Sequence, residues 1–456
     1  MKPFAAAVAA LPPRREFRSL VRLALPIVAV QVGLMFMGVV DTLMVGRVSA
    51  AALAAVALGN LYFFFIAIFG MGVLFGLDPV VSQAVGARDD AAIARAVQRG
   101  LVMAAVLAAL SLAALLPAEA IFTVLRQPPD VIPLAAGYVH AATPGIVAFL
   151  AFIVLRQTLQ AMDRVRPIVV AIVAANLVNV LTNWLLVFGH WGFPALGPIG
   201  TGWASTFSRW TMLVFLAVLT LRRLGPYLRP AGRVVLQLRP LWRMLRLGAP
   251  IGAQFQLEMG AFAVVALLMG WLGTAQMAGH QVAINLASLT FMVPVGIAQA
   301  GAIRVGQAVG RDDPAGARIA VKSALVAGAG FMSFTAVVFL AFPGFLTHLY
   351  TEEPEVMAVA VTLIPIAGVF QVADGLQVVS AGVLRGIGDT TAPFVANLLA
   401  FWMVGLPVGI YLGFRTAAGP VGLWWGLVAG LGLVALFLVL RVRNRMRRTL
   451  ARIVID

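Results

Sequence analysis

Cysteine is missing from all 456 residues, lysine occurs only at Lys2 and Lys322, and Asp plus Glu number just 17. Without cysteine there are no disulfides, thiol nucleophiles or Cys-ligated metal centres. Charged residues make up 11% of the chain, whereas a soluble domain carries about a quarter. Hydrophobic residues reach 62% and the mean hydropathy is +0.99. A single soluble core stops growing near ~250–300 residues, so length cannot hide this much apolar material. The solvent for most of the chain is therefore lipid, which excludes a cytosolic enzyme, a secreted module and a disordered scaffold.

Catalytic signatures are missing as well. His140, His190, His280 and His348 are scattered at expected span ends or loops, and no HExxH spacing occurs. The Walker A motif needs Gly-Lys-Ser/Thr, but Lys322-Ser323 follows Val321. No GxSxG nucleophile elbow is present. The chain is therefore not expected to be an enzyme or to carry a cofactor, and an ion gradient is the expected driving force.

What is present is a series of long apolar runs. Crossing ~30 Å of hydrocarbon takes about 20 mostly apolar residues. Twelve such spans are predicted, the first six being 20–46, 53–77, 100–118, 133–160, 167–189 and 199–221. The other six are 247–272, 278–303, 319–346, 356–384, 393–414 and 420–440. The runs are uniformly apolar rather than alternating, so a β-barrel is excluded.

The net charge of +16 tests the topology. Of the 33 cations, 29 fall in alternate connections, and only Arg47, Arg126 and Arg415 occupy the others. This is the positive-inside pattern, so the basic connections and both termini are expected to be cytoplasmic. It also removes the case for nucleic-acid binding. Arg209 alone lies inside a span, where it could pair with an acid, snorkel to an edge or meet an anion. The start, MKPFAAAVAALPPRREF, places its basic cluster after a short Ala run, which reads as a cytoplasmic tail rather than a signal peptide.

An internal repeat is visible. VSQAVGARDD (81–90) returns as VGQAVGRDD (305–313), and ALPI (24–27) returns as GAPI (248–251). GPIG (197–200) returns as GPVG (419–422), and LQAMDRVRP (159–167) echoes RGIGDTTAP (385–393). The order and near-constant offset predict an all-α protein of two pseudo-symmetric six-helix lobes. The lobes are expected at 1–221 and 247–456, joined by an Arg- and Pro-rich cytoplasmic linker at 222–246. Two such bundles facing one another suit alternating access.

An ionisable group at the bilayer centre costs about 2.5–3.5 kcal/mol, so each one there needs a reason. Three acids are predicted inside spans: Asp41, Glu258 and Asp374. Gln371, Asp374 and Gln377 line one helical face, and Gln254 shares a face with Glu258. Asn176, Asn179 and Asn183 form a stripe on the fifth span; Gln281, Asn285 and Ser288 form another on the eighth. These stripes are either interhelical glue or part of a wet cavity. Met35, Met37, Met44, Phe255, Met259, Phe262 and Phe370 could add an adaptable, cation-π surface. Such a pocket suits cationic, amphipathic small molecules.

On these residues the chain resembles a multidrug and toxic compound extrusion (MATE) transporter of the NorM-like branch. The likeness runs from LPIVAVQVGLMFMGVVDTLMVG to VADGLQVVSAGVLRGIGDTTAP. It implies a V-shaped pair of six-helix lobes that exports organic cations in exchange for Na+ or H+. Asp41 matches the family's first-span acid, and Glu258 and Asp374 match the seventh- and tenth-span acids of its C-lobe cation site. Asn176 and Asn179 resemble its fifth-span polar residues. Some relatives place a Tyr where this chain has Phe370, so one hydroxyl is missing from that pattern.

The expected mechanism is antiport, with Na+ or H+ neutralising Glu258 and Asp374 and so releasing the drug. Glu258 and Asp374 would be the ligands if the ion is Na+. The alternative is a flippase for a lipid-linked saccharide or related anionic lipid, which requires cations in the cleft; Arg209 alone favours it. A monomer in a bacterial inner membrane, surrounded by membrane lipid, is expected.

Overall fold

The computed structural model describes residues 12–229 and 232–455; Lys2 and the Ala run of the N-terminal tail lie outside them. Among the described residues there is no strand. The spans are α1 (Arg14–Val45), α2 (Ala50–Gly86), α3 (Asp90–Leu115), α4 (the pair Ile132–Ala142 and Gly145–Ala161), α5 (Arg166–Phe188) and α6 (Pro198–Leu228). They continue as α7 (Leu238–Leu272), α8 (Thr274–Gly310), α9 (Pro314–Ala341), α10 (Pro354–Gly386), α11 (Thr391–Arg415) and α12 (Gly419–Arg445). Eleven are single helices long and apolar enough to cross a membrane, and the bent pair α4 makes twelve. The protein is a multi-pass membrane protein.

Several helices run past the hydropathy limits because a helix ends at its cap, not at the first charge. α3 begins at Asp90 rather than near 100, because the Asp89 side chain accepts from Ala92 N at 2.9 Å. That N-cap satisfies one of the orphan donors of the first turn. Asp313 caps α9 in the same way, accepting from Gly316 N at 2.8 Å. The preceding residues, Arg88 and Asp312, are both left-handed, at φ 56° each. The repeat seen in the letters is thus a repeat of turn geometry. Short helices, Ala118–Val124 and Pro343–His348, also follow α3 and α9 alike.

Two irregularities come from proline. α4 bends by 45° at Thr143–Pro144, where the ring removes a backbone donor. In α11 a π-helical stretch, Leu398–Gly405, precedes Pro407 and turns Trp402 toward α7, where its Nε1 donates to the Leu257 carbonyl at 3.2 Å.

The chain forms two compact units, and their boundary departs from the expected lobes. One unit holds the chain up to Val28 with Ala253–Ile453; the other holds Ala29–Gly252 with the chain from Val454. The 222–246 linker therefore belongs to the second of these. Both switches fall two residues after a proline inside a helix, Pro26 in α1 and Pro250 in α7. Backbone approach explains the grouping. A Cβ on Gly72 of α2 would lie 2.5 Å from Gly252 Cα, which seats the first part of α7 against α2. A Cβ on Gly296 of α8 would lie 2.5 Å from Val28 Cγ2, seating the first part of α1 against α8. The two close approaches are repeat equivalents.

Candidate functional site

Each unit has its own membrane-embedded acid cluster. In the Ala29–Gly252 unit, Asp41 lies one turn before the end of α1 and is 6% exposed. Its Oδ1 accepts from Asn179 Nδ2 at 3.0 Å and from Asn183 Nδ2 at 2.8 Å. Its Oδ2 accepts from Ser205 Oγ at 2.8 Å. The helical period sets this up: Asn179 and Asn183 are four apart on α5, and Ser205 and Arg209 are four apart on α6. Arg209 is buried, donates to the Ala142 carbonyl at 3.3 Å, and lies 4.0 Å over the Phe63 ring. Its charge acts on Asp41 and on Tyr138, whose hydroxyl donates to Asn60 Oδ1 at 3.3 Å. Arg209 makes no salt bridge among the described residues: a backbone carbonyl and a ring face hold it, and Asp41 acts on it at longer range. Three donors hold Asp41, and the guanidinium acts on it at longer range.

In the other unit, Glu258 of α7 meets α10. Gln377 Nε2 donates to Glu258 Oε1 at 3.0 Å, and Asp374, one turn earlier, interacts with both Glu258 and Gln377. Asp374 is 6% exposed, whereas Glu258 is half-buried. Among the described residues no cationic side chain enters the electrostatics of either carboxylate. Asp374 Oδ1 and Gln377 Oε1 are buried with no hydrogen-bond donor among those residues. Two carboxylates and an amide therefore present oxygen acceptors without compensating charge. Such a set attracts a proton or a hard monovalent cation. It does not provide a larger cage, since no group of three His, Asp or Glu is found among the described residues.

Other expected site residues lie elsewhere. Asn176 donates to the carbonyls of Gly33 and Ile172, at 3.0 and 2.9 Å, so it ties α5 to α1 instead of facing Asp41. Gln371 shares a helix with Asp374 but bonds to different groups. Its Oε1 accepts from Thr335 Oγ1, and its Nε2 donates to Thr290 Oγ1 at 3.0 Å, joining α8, α9 and α10. Gln281 donates to Asn285 Oδ1 at 3.1 Å along one exposed helical face. Gln254 is buried one turn before Glu258. Phe370 packs in the core against Trp424, with ring centroids 5.4 Å apart, so it is no pocket wall. His280, near the start of α8, is likewise buried, its Nδ1 accepting from Trp424 Nε1 at 3.2 Å.

A fourth acid in the helical interior is Asp78, only 4% exposed. The expected second span, 53–77, stops one residue short of it. In the structure it sits inside α2 and accepts from Gln157 Nε2, while the buried Arg156 guanidinium acts on it from α4. Ser205 carried no sequence signal either, as one hydroxyl in the run GWASTFSRW. Its four-residue spacing to Arg209 is the only clue that could have found it.

The MatE family model matches residues 26–185 and again 250–411, so its two copies start 224 residues apart. The chain is 36% identical over 447 residues to the probable multidrug resistance protein NorM of Rhizobium meliloti, covering 96% of this chain and 95% of that protein. It is 34% identical over 436 residues to the multidrug resistance protein MdtK of Edwardsiella ictaluri, covering 94% and 95%. Among solved structures, the eukaryotic MATE transporter AtDTX14 superposes with a TM-score of 0.86 at 21% identity, over 95% of this chain and 99% of that one. An outward-facing multidrug resistance MATE family transporter gives 0.85 at 18% identity, over 95% and 96%. At these identities the two structures speak to the fold alone.

Proposed function

The chain belongs to the MatE family of multidrug transporters, and from that premise we propose that it exports lipophilic organic cations from the cytoplasm in exchange for Na+ or H+ by alternating access. The observation that carries this reading is the uncompensated Glu258–Gln377–Asp374 set, with acceptor oxygens at Asp374 Oδ1 and Gln377 Oε1. Two carboxylates this close, one buried and one half-buried, repel each other and are relieved by any positive charge that reaches them. A drug cation and a coupling ion both supply such charge. Occupation by one lowers the affinity for the other, and this competition is the core of exchange. If the ion is Na+, Glu258 and Asp374 are its carboxylate ligands. The coupling ion is the only co-substrate required, and the working unit is a monomer in the bacterial inner membrane with both termini cytoplasmic.

Asp41 serves differently. Asn179, Asn183 and Ser205 donate to it and Arg209 acts on it at longer range, so it is the pre-organised member, although Asn179 Oδ1 and Asn183 Oδ1 are themselves buried without a donor among the described residues. The flippase alternative depended on Arg209 facing a pyrophosphate. Arg209 instead lies against the Phe63 ring and a backbone carbonyl, within electrostatic range of Asp41, which accounts for it without an anionic substrate.

The test is transport of a fluorescent lipophilic cation in proteoliposomes, with Na+ and pH gradients imposed separately. Movement driven by one gradient identifies the ion. Moving one charge across 100 mV is worth ~2.3 kcal/mol, so clamping the potential then reports stoichiometry. If neither gradient moved any cation, antiport would be wrong.

A further inference from the structure

A second feature lies in the Ala253–Ile453 unit, at the arginine-bearing ends of α9 and α12. These helices leave an open groove of about 270 Å3 between them. Its floor is aliphatic, with Val321 and Leu325 from α9 and Val439 and Val442 from α12. Its rim carries Arg318, Lys322 and Arg443. The order along the helices matters. Arg318 comes first on α9, Lys322 one turn deeper, and Leu325 deeper still; on α12, Arg443 lies one turn beyond Val439. Positive charge thus gives way to hydrocarbon in one direction, as an amphiphile does.

None of the three cations has a carboxylate partner among the described residues. The nearby acid Asp389 is already committed to Arg441 and Arg445, at 2.9 Å each. Arg318 Nε donates to the Met446 carbonyl at 3.0 Å, which anchors that guanidinium where the groove opens. Arg318 and Arg443 are exposed and Lys322 is half-buried, so the groove is cationic at its mouth and apolar within. One ligand class matches both ends.

We infer that this groove binds an anionic phospholipid of the adjacent leaflet, its phosphate among Arg318, Lys322 and Arg443 and an acyl chain along the valine floor. Basic pockets between membrane helices are a physical match for such headgroups. A free phosphate would satisfy the rim but leave the floor wetted, so the lipid is the better occupant. The site is separate from the Glu258–Asp374 set and does not depend on the transport reading.

The experiment is native mass spectrometry of the purified full chain, titrated with phosphatidylglycerol or phosphatidylcholine. Each cation near an anionic lipid contributes about a fivefold affinity gain, so the three together give on the order of 100-fold. The wild type is expected to prefer phosphatidylglycerol, and R318Q/K322Q/R443Q to lose that preference while keeping its thermal unfolding profile in phosphatidylcholine. V439W keeps every cation but fills the floor, and it should lose phosphatidylglycerol too. Unchanged phosphatidylglycerol binding in the triple variant would overturn the proposal. So would wild-type affinity in V439W, which would mean general surface electrostatics. Equal displacement by millimolar inorganic phosphate would overturn the choice of a lipid.

Discussion

Replacing Asp374 by Asn is the perturbation that bears most directly on exchange. It is nearly isosteric, keeps a carbonyl oxygen and removes one negative charge. The structure argues that nothing compensates for that loss: Asp374 is buried, its Oδ1 has no donor, and no described cation acts on the pair. A unit charge pair at ~4 Å with an effective dielectric of about 20 attracts by ~4 kcal/mol. Part of this is offset, because a weakly held cation retains more of its water. Truncating one partner of a buried charge pair costs about 2–5 kcal/mol in comparable settings. The lower figure already corresponds to about a 30-fold loss in affinity for a monovalent lipophilic cation. Fluorescence titration of purified protein reads this affinity, and proteoliposome exchange reads the coupling. D374N should lose both, while D374E, which keeps the charge, should retain measurable gradient-driven transport. A D374N protein with cation affinity within about twofold of wild type and full gradient-driven efflux would refute the reasoning.

Four further outcomes follow from the geometry. N183A removes one of the two amides donating to Asp41 and should destabilise the protein by about 1.5–3 kcal/mol, the range for hydrogen bonds to charged groups, read by thermal unfolding in detergent. R209A removes the cation that acts on the buried Asp41 and should lower thermal stability, with D41N restoring part of the loss; a double variant no better than R209A would disprove the electrostatic coupling. Gln371 and Gln377 should separate: Q371L breaks the Thr335–Thr290 tie and lowers thermal stability with its ion dependence intact, whereas Q377L alters the ion dependence of transport. G72V drives a side chain into the Gly252 backbone and should abolish monodisperse expression by size-exclusion chromatography, while G38V, with open space around it, should not.

The spans were legible because transfer of apolar groups into lipid is close to additive along a chain, so local sums locate them. Their ends were less so, since α3 and α9 are delimited by the Asp89 and Asp313 caps rather than by hydropathy. Glu258, Asp374 and Gln377 could be read from the sequence because charge and amides are scarce in this background. Gln371 shows the limit of that reasoning: it lies three residues from Asp374, yet the neighbouring Thr335 and Thr290 take both its polar ends.

The sequence alone determined the membrane class, the twelve spans, the six-plus-six repeat and the scarcity that singles out Asp41, Glu258 and Asp374. These are properties of composition and periodicity, and they need no neighbour. Tertiary structure alone decided which partners each acid keeps, because a polar group's fate in lipid depends on the helix packed beside it. It surrounded Asp41 with Ser205 and Arg209, buried Asp78 against Gln157, and left Asp374 Oδ1 without a donor. It also divided α1 and α7 between the two units just after Pro26 and Pro250. The repeat supplied those equivalent prolines, but only the close approaches at Gly72 and Gly296 determine which neighbours each half-helix joins.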